Sequence, residues 1–196
     1  MIAITDDLRD GVIGLVGRAE AAVRGGATMI QLRLTDVDPR ALVAIAEKLV
    51  VSVSVPVIVH ARADVALAAG AAGVHIGIDD VPAVELRRVM PPTFVIGASV
   101  GNEADLSYTR GANYVGIGPV FGAGSKLDAS AAIGVTEFAR LARLAAVPAI
   151  AIGGIEESNC RQLRDAGAAG VAVIRAIFAA ADPERAALAL SSAIGS

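Results

Sequence analysis

Tryptophan is absent from this 196-residue sequence, and the other aromatics are scarce, with two Tyr and four Phe. A core must therefore be filled by small and branched aliphatic side chains, and 55% of the residues are hydrophobic. Cysteine occurs once, at Cys160, which excludes an internal disulfide and suits a reducing compartment. Lys and Arg form no cluster and the net charge is −3, which excludes the electrostatic footprint of a nucleic-acid binder. Long apolar runs are missing too: none reaches the roughly 18 residues of a membrane-spanning helix. The opening "MIAITDDLRD" has no basic flank and meets acid at Asp6, unlike a secretory signal. The expectation is a cytoplasmic protein of one domain over residues 1–196, large enough to bury a core without staples.

What is present is a rhythm. Short apolar runs bounded by turn residues recur eight times: "IAIT" (2–5), "MIQLR" (29–33), "PVIVH" (56–60), "GVHIG" (73–77), "FVIGAS" (94–99), "YVGIG" (114–118), "AIAIGG" (149–154) and "GVAVI" (170–174). They are nearly continuous in Val, Ile and Ala, the pattern of parallel strands covered on both faces. Amphipathic segments of helical period lie between, such as "ALVAIAEKLVV" (41–51), "VTEFARLARLA" (135–145) and "SNCRQLRDAG" (158–167). A second regularity overlies the first. "GGAT" (25–28), "AGAAG" (69–73), "RGAN" (110–113) and "AGAAG" (166–170) precede the even-numbered strands, with Gly26, Gly70, Gly111 and Gly167 where a helix C-cap wants positive φ. The fold class is α/β, a compact (βα)8 TIM barrel. An open doubly wound sheet is the rival, but it rarely runs to eight even units, while the chain sits at the short end of the barrel range.

In such barrels chemistry sits at the C-terminal ends of the strands, and phosphate is often held after the seventh and eighth. Gly153 and Gly154 end the seventh run, and Arg175 and Ala176 follow the eighth. Bare amides at a helix start attract anions, and Arg175 adds a cation. Gly153-Gly154 alone is equally a cramped turn, and Arg175 alone a solvated charge; strand position together with the cation favours phosphate. Thr5, Asp6 and Asp7 follow the first strand. Gln31 and Arg33 are two apart on the second and so share a face. His60 and Arg62 follow the third strand, Asp79 and Asp80 the fourth, Ser99 the fifth. The loop "GPVFGAGSKLDAS" after the sixth carries Ser125, Lys126 and Asp128. Singly each has a plain reading: Asp79 and Asp80 cap a helix beginning near Val81, His60 is a core histidine, Lys126 a solvated loop residue. Jointly they suggest a polyanion site on one rim, with room for Mg²⁺.

These stretches resemble one family over nearly the whole chain. "AITDD", "GGATMIQLR", "ADVALAAGAAGVHIGIDD", "IGAS", "GANYVGIGPVF", "AIGGI" and "AGAAGVAVIRAI" occur in the order found in thiamine phosphate synthases and their TenI-type relatives. Single words such as "AGAAG" are weak; "GANYVGIGPVF" followed by "AIGGI" and "VIRAI" is specific. The resemblance implies a thiamine-biosynthetic transferase that couples hydroxymethylpyrimidine diphosphate to a thiazole phosphate and releases pyrophosphate. It implies that Gln31, Arg33, Ser99 and Lys126 hold the diphosphate. Asp80, with Asp79 beside it, would hold Mg²⁺. Ser125, Gly153, Gly154, Arg175 and Ala176 would surround the thiazole phosphate.

The sequence also departs from the family. Thr35 stands where a lysine is usual, and His60-Ala61-Arg62 replaces Asn-Asp-Arg, removing a second carboxylate for the metal. Ile78 replaces a glutamine, Ala123 and Ser125 replace threonines, and Arg175 replaces a serine. The thiazole-phosphate end is kept or reinforced, while the diphosphate end has lost a cation and a carboxylate. Three readings stay open: a synthase with a modified diphosphate site, a metal-independent TenI-type thiazole tautomerase with His60 as acid–base group, and a non-catalytic binder of thiazole or thiamine phosphate. "GPVF" at Pro119 is the synthase-like spelling. The expected partners are the two small phosphorylated substrates, with neither nucleic acid nor membrane, and a homodimer is a mild expectation.

Overall fold

The structure, a computed structural model, describes residues 1–122 and 131–195. The aliphatic runs become eight strands: β1 (Ile2–Ile4), β2 (Met29–Leu32), β3 (Val57–His60), β4 (Gly73–Ile76), β5 (Val95–Val100), β6 (Tyr114–Ile117), β7 (Ala149–Ile152) and β8 (Gly170–Val173). All pairs are parallel, and β8 pairs with β1, so the sheet closes in chain order as a barrel. The helices are α1 (Gly11–Arg24), α2 (Pro39–Ser52), α3 (Ala63–Ala68), α4 (Ala83–Val89), α5 (Gly134–Leu144), α6 (Glu157–Asp165), α7 (Arg175–Phe178) and α8 (Pro183–Gly195). Gly26, Gly70, Gly111 and Gly167 all have the positive φ that the repeat foretold.

One unit differs from expectation. The crossover after β5 is a 3-10 helix, Glu103–Thr109. Its start is fixed by a reciprocal cap: Asn102 accepts from Ala104 N (2.9 Å), and Asp105 accepts from Gly101 N (2.7 Å) and Asn102 N (3.1 Å). The segment "EADLSYT" has little apolar stripe to hold a longer α-helix on the sheet.

Strand alternation sorts the side chains into two cores. Outward residues pack under the helices with Leu15, Leu49, Phe138, Leu163 and Phe178. Inward residues fill the barrel: Ile2, Ile4, Ile58, Tyr114 and Ala172, with Met29, Val95, Ile150, Ile152 and Ile174 against them. Toward the C-terminal mouth this filling turns polar, through Gln31, His60, His75 and Ser99. A closed aliphatic barrel thus lifts a small polar set to one end.

Candidate active site

At the mouth of β1 and β2 the backbone of Arg33 is held twice by Thr5, which is fully buried. Thr5 Oγ1 accepts from Arg33 N (2.8 Å) and donates to Arg33 O (3.2 Å). Arg33 is half-buried, while Gln31, two residues earlier, is 3% exposed. Asp6 and Asp7 are taken up within their own loop. Arg9 Nε binds Asp7 at 2.8 Å and its guanidinium also contacts Asp6, and Arg18 donates to Asp7 O at 3.1 Å. These two carboxylates serve the β1–α1 loop.

His60 ends β3 half-buried, with its Nδ1 buried and unpartnered among the described residues. Burial is the main reason its imidazole stays below the usual pKa; the Arg33 guanidinium adds to this and Asp80 opposes it. The three groups therefore share one electrostatic neighbourhood. The next residue, Ala61, has φ 61°, and Arg62 N donates to His60 O across it at 2.7 Å, a left-handed γ-turn. Arg62 turns aside into a two-bond pair with Asp64 (2.8 and 2.6 Å).

The acidic pair after β4 does not cap α4. That helix starts at Ala83 behind Pro82 without a side-chain cap, and Asp80 Oδ2 instead accepts from Gly77 N at 2.7 Å. Pro82 directs the chain into the helix, leaving Asp80 free to close its own turn. Asp80 is half-buried and Asp79 exposed. Ser99, near the end of β5, is linked to His75 on β4, whose Nε2 lies 3.0 Å from Ser99 Oγ. On the other side His75 Nδ1 lies 2.9 Å from the Tyr114 hydroxyl. His75 is 7% exposed, and burial, with the neighbouring His60, lowers its pKa to about 4. Burial drives the Tyr114 phenol upward. Two glycines make room for the pair: a Cβ on Gly97 would lie 2.2 Å from the Tyr114 ring, and one on Gly116 3.0 Å from His75.

Across the mouth, β7 ends at Ile152, so Gly153 and Gly154 form the turn itself, with φ 97° and 62°. A Cβ on Gly153 would lie 2.5 Å from Pro119, and one on Gly154 2.8 Å from Phe121. Phe121 N donates to Gly153 O (3.0 Å) and Asn159 Nδ2 to Gly154 O (2.9 Å). Positive φ and close packing both require glycine, so the cramped-turn reading holds whatever else binds there. Arg175, exposed, and Ala176 begin α7 directly after β8. Ala123, Ser125, Lys126 and Asp128 lie outside the described residues.

The donor set for a metal is thin. Among the described residues no three His, Cys, Asp or Glu side chains group as a metal site. Asp80 has one oxygen engaged by Gly77 and one over, and Ala61 offers none. This set suits a Mg²⁺ that arrives with phosphate oxygens, since that ion is often bound through one or two carboxylates plus substrate.

The structure thus brings Arg33, His60 and Asp80 together, places Ser99 beside them through His75, and sets Gly153, Gly154 and Arg175 at the other side of the same rim. His75 and Tyr114 were not singled out from the sequence. Alternation was the available signal: in "GVHIG" the histidine shares its inward face with two glycines, and β3–β4 register pairs it with His60. No helix among the described residues is long and apolar enough to cross a membrane.

Comparison with known proteins adds to this geometry. A family model described as thiamine monophosphate synthase matches residues 1–177. The chain is 45% identical over 192 residues to the thiamine-phosphate synthase of Roseiflexus castenholzii, covering 95% of this chain and 84% of the relative. It is 41% identical over 196 residues to that of Xanthobacter autotrophicus, covering 97% and 93%. Among solved structures it is similar to the thiamine phosphate pyrophosphorylase from Pyrococcus furiosus, with a TM-score of 0.87 and 31% identity over 99% of this chain and 94% of that one.

Proposed function

The chain belongs to the thiamine monophosphate synthase family, and from that membership we propose which residues perform its reaction. It is a transferase of the thiamine-phosphate synthase type. Its substrates are a hydroxymethylpyrimidine diphosphate and a thiazole phosphate. The C–O bond to the diphosphate breaks, the thiazole nitrogen bonds to the freed methylene carbon, and pyrophosphate leaves with the bond's electron pair. The ring nitrogen takes on the positive charge, and no proton needs to move.

Such a reaction asks a protein to stabilise the departing diphosphate and to aim the nucleophile. Arg33, its backbone pinned by Thr5, is the cation, and Gln31, Ser99 and Lys126 add hydrogen bonds to the same group. The low pKa of His60 keeps its imidazole neutral near pH 7, so its bare Nδ1 is a polar contact for substrate rather than a second cation. Mg²⁺, held by Asp80 with Asp79 near it, would supply charge neutralisation for the diphosphate. The thiazole phosphate rests against Gly153, Gly154, Ser125 and the start of α7 at Arg175 and Ala176. A cytoplasmic setting suits the single buried thiol of Cys160.

The observation that supports this most is the meeting of Arg33, His60 and Asp80 at one mouth, opposite the Gly153-Gly154 turn. The assay is incubation with both substrates and Mg²⁺; thiamine phosphate should form and vanish with EDTA. The rival tautomerase reading draws on Ala61, which lacks the carboxylate, and on neutral His60. Its signature would be isomerisation of a thiazole carboxylate indifferent to EDTA, with no thiamine phosphate. Thermal stabilisation by thiazole phosphate without any turnover would instead leave a binder.

A further inference from the structure

The pair His75–Tyr114 is buried, yet it touches the one hydroxyl assigned above to the diphosphate. Among the described residues the Tyr114 hydroxyl has a single hydrogen-bond partner, His75 Nδ1 at 2.9 Å, and Tyr114 is 7% exposed. A buried phenol that only accepted would leave its own proton unpaired, a costly arrangement. Tyr114 therefore donates and Nδ1 accepts. A neutral imidazole has one proton, so it must sit on Nε2, 3.0 Å from Ser99 Oγ. Ser99 then accepts from the ring, and its own O–H is left to point outward.

We propose that His75 and Tyr114 are positioning residues that fix the Ser99 hydroxyl as a hydrogen-bond donor toward the departing diphosphate. With the opposite tautomer Ser99 would donate inward and turn lone pairs toward an anion, the wrong polarity for its task. The depressed pKa of His75 agrees, since a protonated ring would donate from both nitrogens and leave the phenol without an acceptor. The glycines opposite both rings are in keeping with this: Gly97 and Gly116 hold no side chain that could compete for the ring nitrogens or the phenol. The inference rests on the reading of Ser99 as a diphosphate contact.

The test has two parts, both on the full chain. Histidine-selective 15N NMR reads the tautomer directly, and with only two histidines in the sequence a His60→Gln variant assigns the signals. His75 should carry its proton on Nε2 across neutral pH, and a proton on Nδ1 overturns the proposal. Calorimetry with inorganic pyrophosphate and Mg²⁺ reads the consequence. Tyr114→Phe keeps the ring and removes only the hydroxyl. It should weaken pyrophosphate binding and lower kcat by about tenfold, the scale of one hydrogen bond to an anion, and leave thiazole phosphate affinity unchanged. His75→Gln, whose amide N–H can still face Ser99, should retain more affinity than His75→Leu. If Ser99→Ala does not alter pyrophosphate affinity, the reading of Ser99 fails and takes the proposal with it. If Ser99→Ala weakens binding and Tyr114→Phe does not, that reading stands and the proposal alone is overturned. Should Tyr114→Phe not fold, the tautomer of the unaltered chain decides.

Discussion

At the scale of single residues, Ala61 carries the sharpest conflict between sequence and backbone. It is the one non-glycine among the described residues with positive φ, 61°. Its conformation is locked from both sides, by Ala61 N donating to His75 O (2.8 Å) and by Arg62 N donating to His60 O (2.7 Å). Alanine pays roughly 1–2 kcal/mol for this region, whereas Asn and Asp enter it more readily. The family resemblance sets an aspartate here, so the turn has the shape for a carboxylate that the residue no longer has. Two variants separate the effects. Ala61→Gly should relieve strain, partly offset by the freedom glycine gains when unfolded, for a net gain of up to about 1 kcal/mol or about 2–4 °C in Tm. Ala61→Asp should tighten Mg²⁺-dependent pyrophosphate binding several-fold by calorimetry, since it returns a second carboxylate beside Asp80. A Tm that falls with glycine, or a metal requirement unmoved by aspartate, counts against this account. Nothing in the word "VHAR" discloses that φ. His60 and Arg33 were legible because position at a strand end is a sequence property; the strain beside them is a property of closing the barrel.

At the scale of elements, the Gly153-Gly154 turn shows how one feature answers to two demands. Both glycines have positive φ and both lie against the segment Pro119–Phe121, which anchors the β6 end of the barrel to β7. Packing alone accounts for glycine at 153, where a Cβ would lie 2.5 Å from Pro119. Gly153→Ala should therefore cost on the order of 2 kcal/mol in stability. At Gly154 the proposed thiazole phosphate adds a second reason, and Gly154→Ala should also shrink the Tm rise that thiazole phosphate produces. Thermal melts of both variants with and without that ligand separate the two roles. A ligand shift preserved in folded Gly154→Ala would make the pair a turn and nothing more. The strands and most helices were readable because aliphatic runs and Gly caps recur with a fixed spacing. The 3-10 helix was not, since its form follows from the Asn102–Asp105 cap and a short crossover. The plain alternative for Asp80, a cap on α4, fails because a carboxylate before a helix has two sets of amides to choose between, and here Gly77 wins.

For the molecule as a whole, the polar mouth of a greasy barrel should make stability depend on pH through its two histidines. Burial lowers both: His75 to about 4 and His60 in the same direction. A group whose folded pKa lies below its unfolded value of 6.5 binds more protons when the chain unfolds. Its stabilising effect is therefore complete above about pH 6.5 and is lost progressively as pH falls toward about 4. At about 1.4 kcal/mol per unit, His75 alone should remove on the order of 2 kcal/mol by about pH 5. The carboxyls of Asp7, Asp64 and Glu137, held low by arginine partners, add a separate loss that begins only as pH falls toward their unfolded values of 3.8, 3.8 and 4.5. Acid sensitivity between about pH 6.5 and 5, above the range where those carboxyls begin to take up protons, is thus read as a histidine effect. His75→Gln should melt lower than the unaltered chain near neutral pH, because Ser99 and Tyr114 lose a fitted partner. It should then lose less on acidification, because the proton-binding site is gone, so the two Tm curves converge as pH falls. Parallel curves from neutral pH to about pH 5 would mean that His75 takes up its proton in the folded barrel as easily as in water, and the buried neutral imidazole on which the Ser99 orientation depends would not exist.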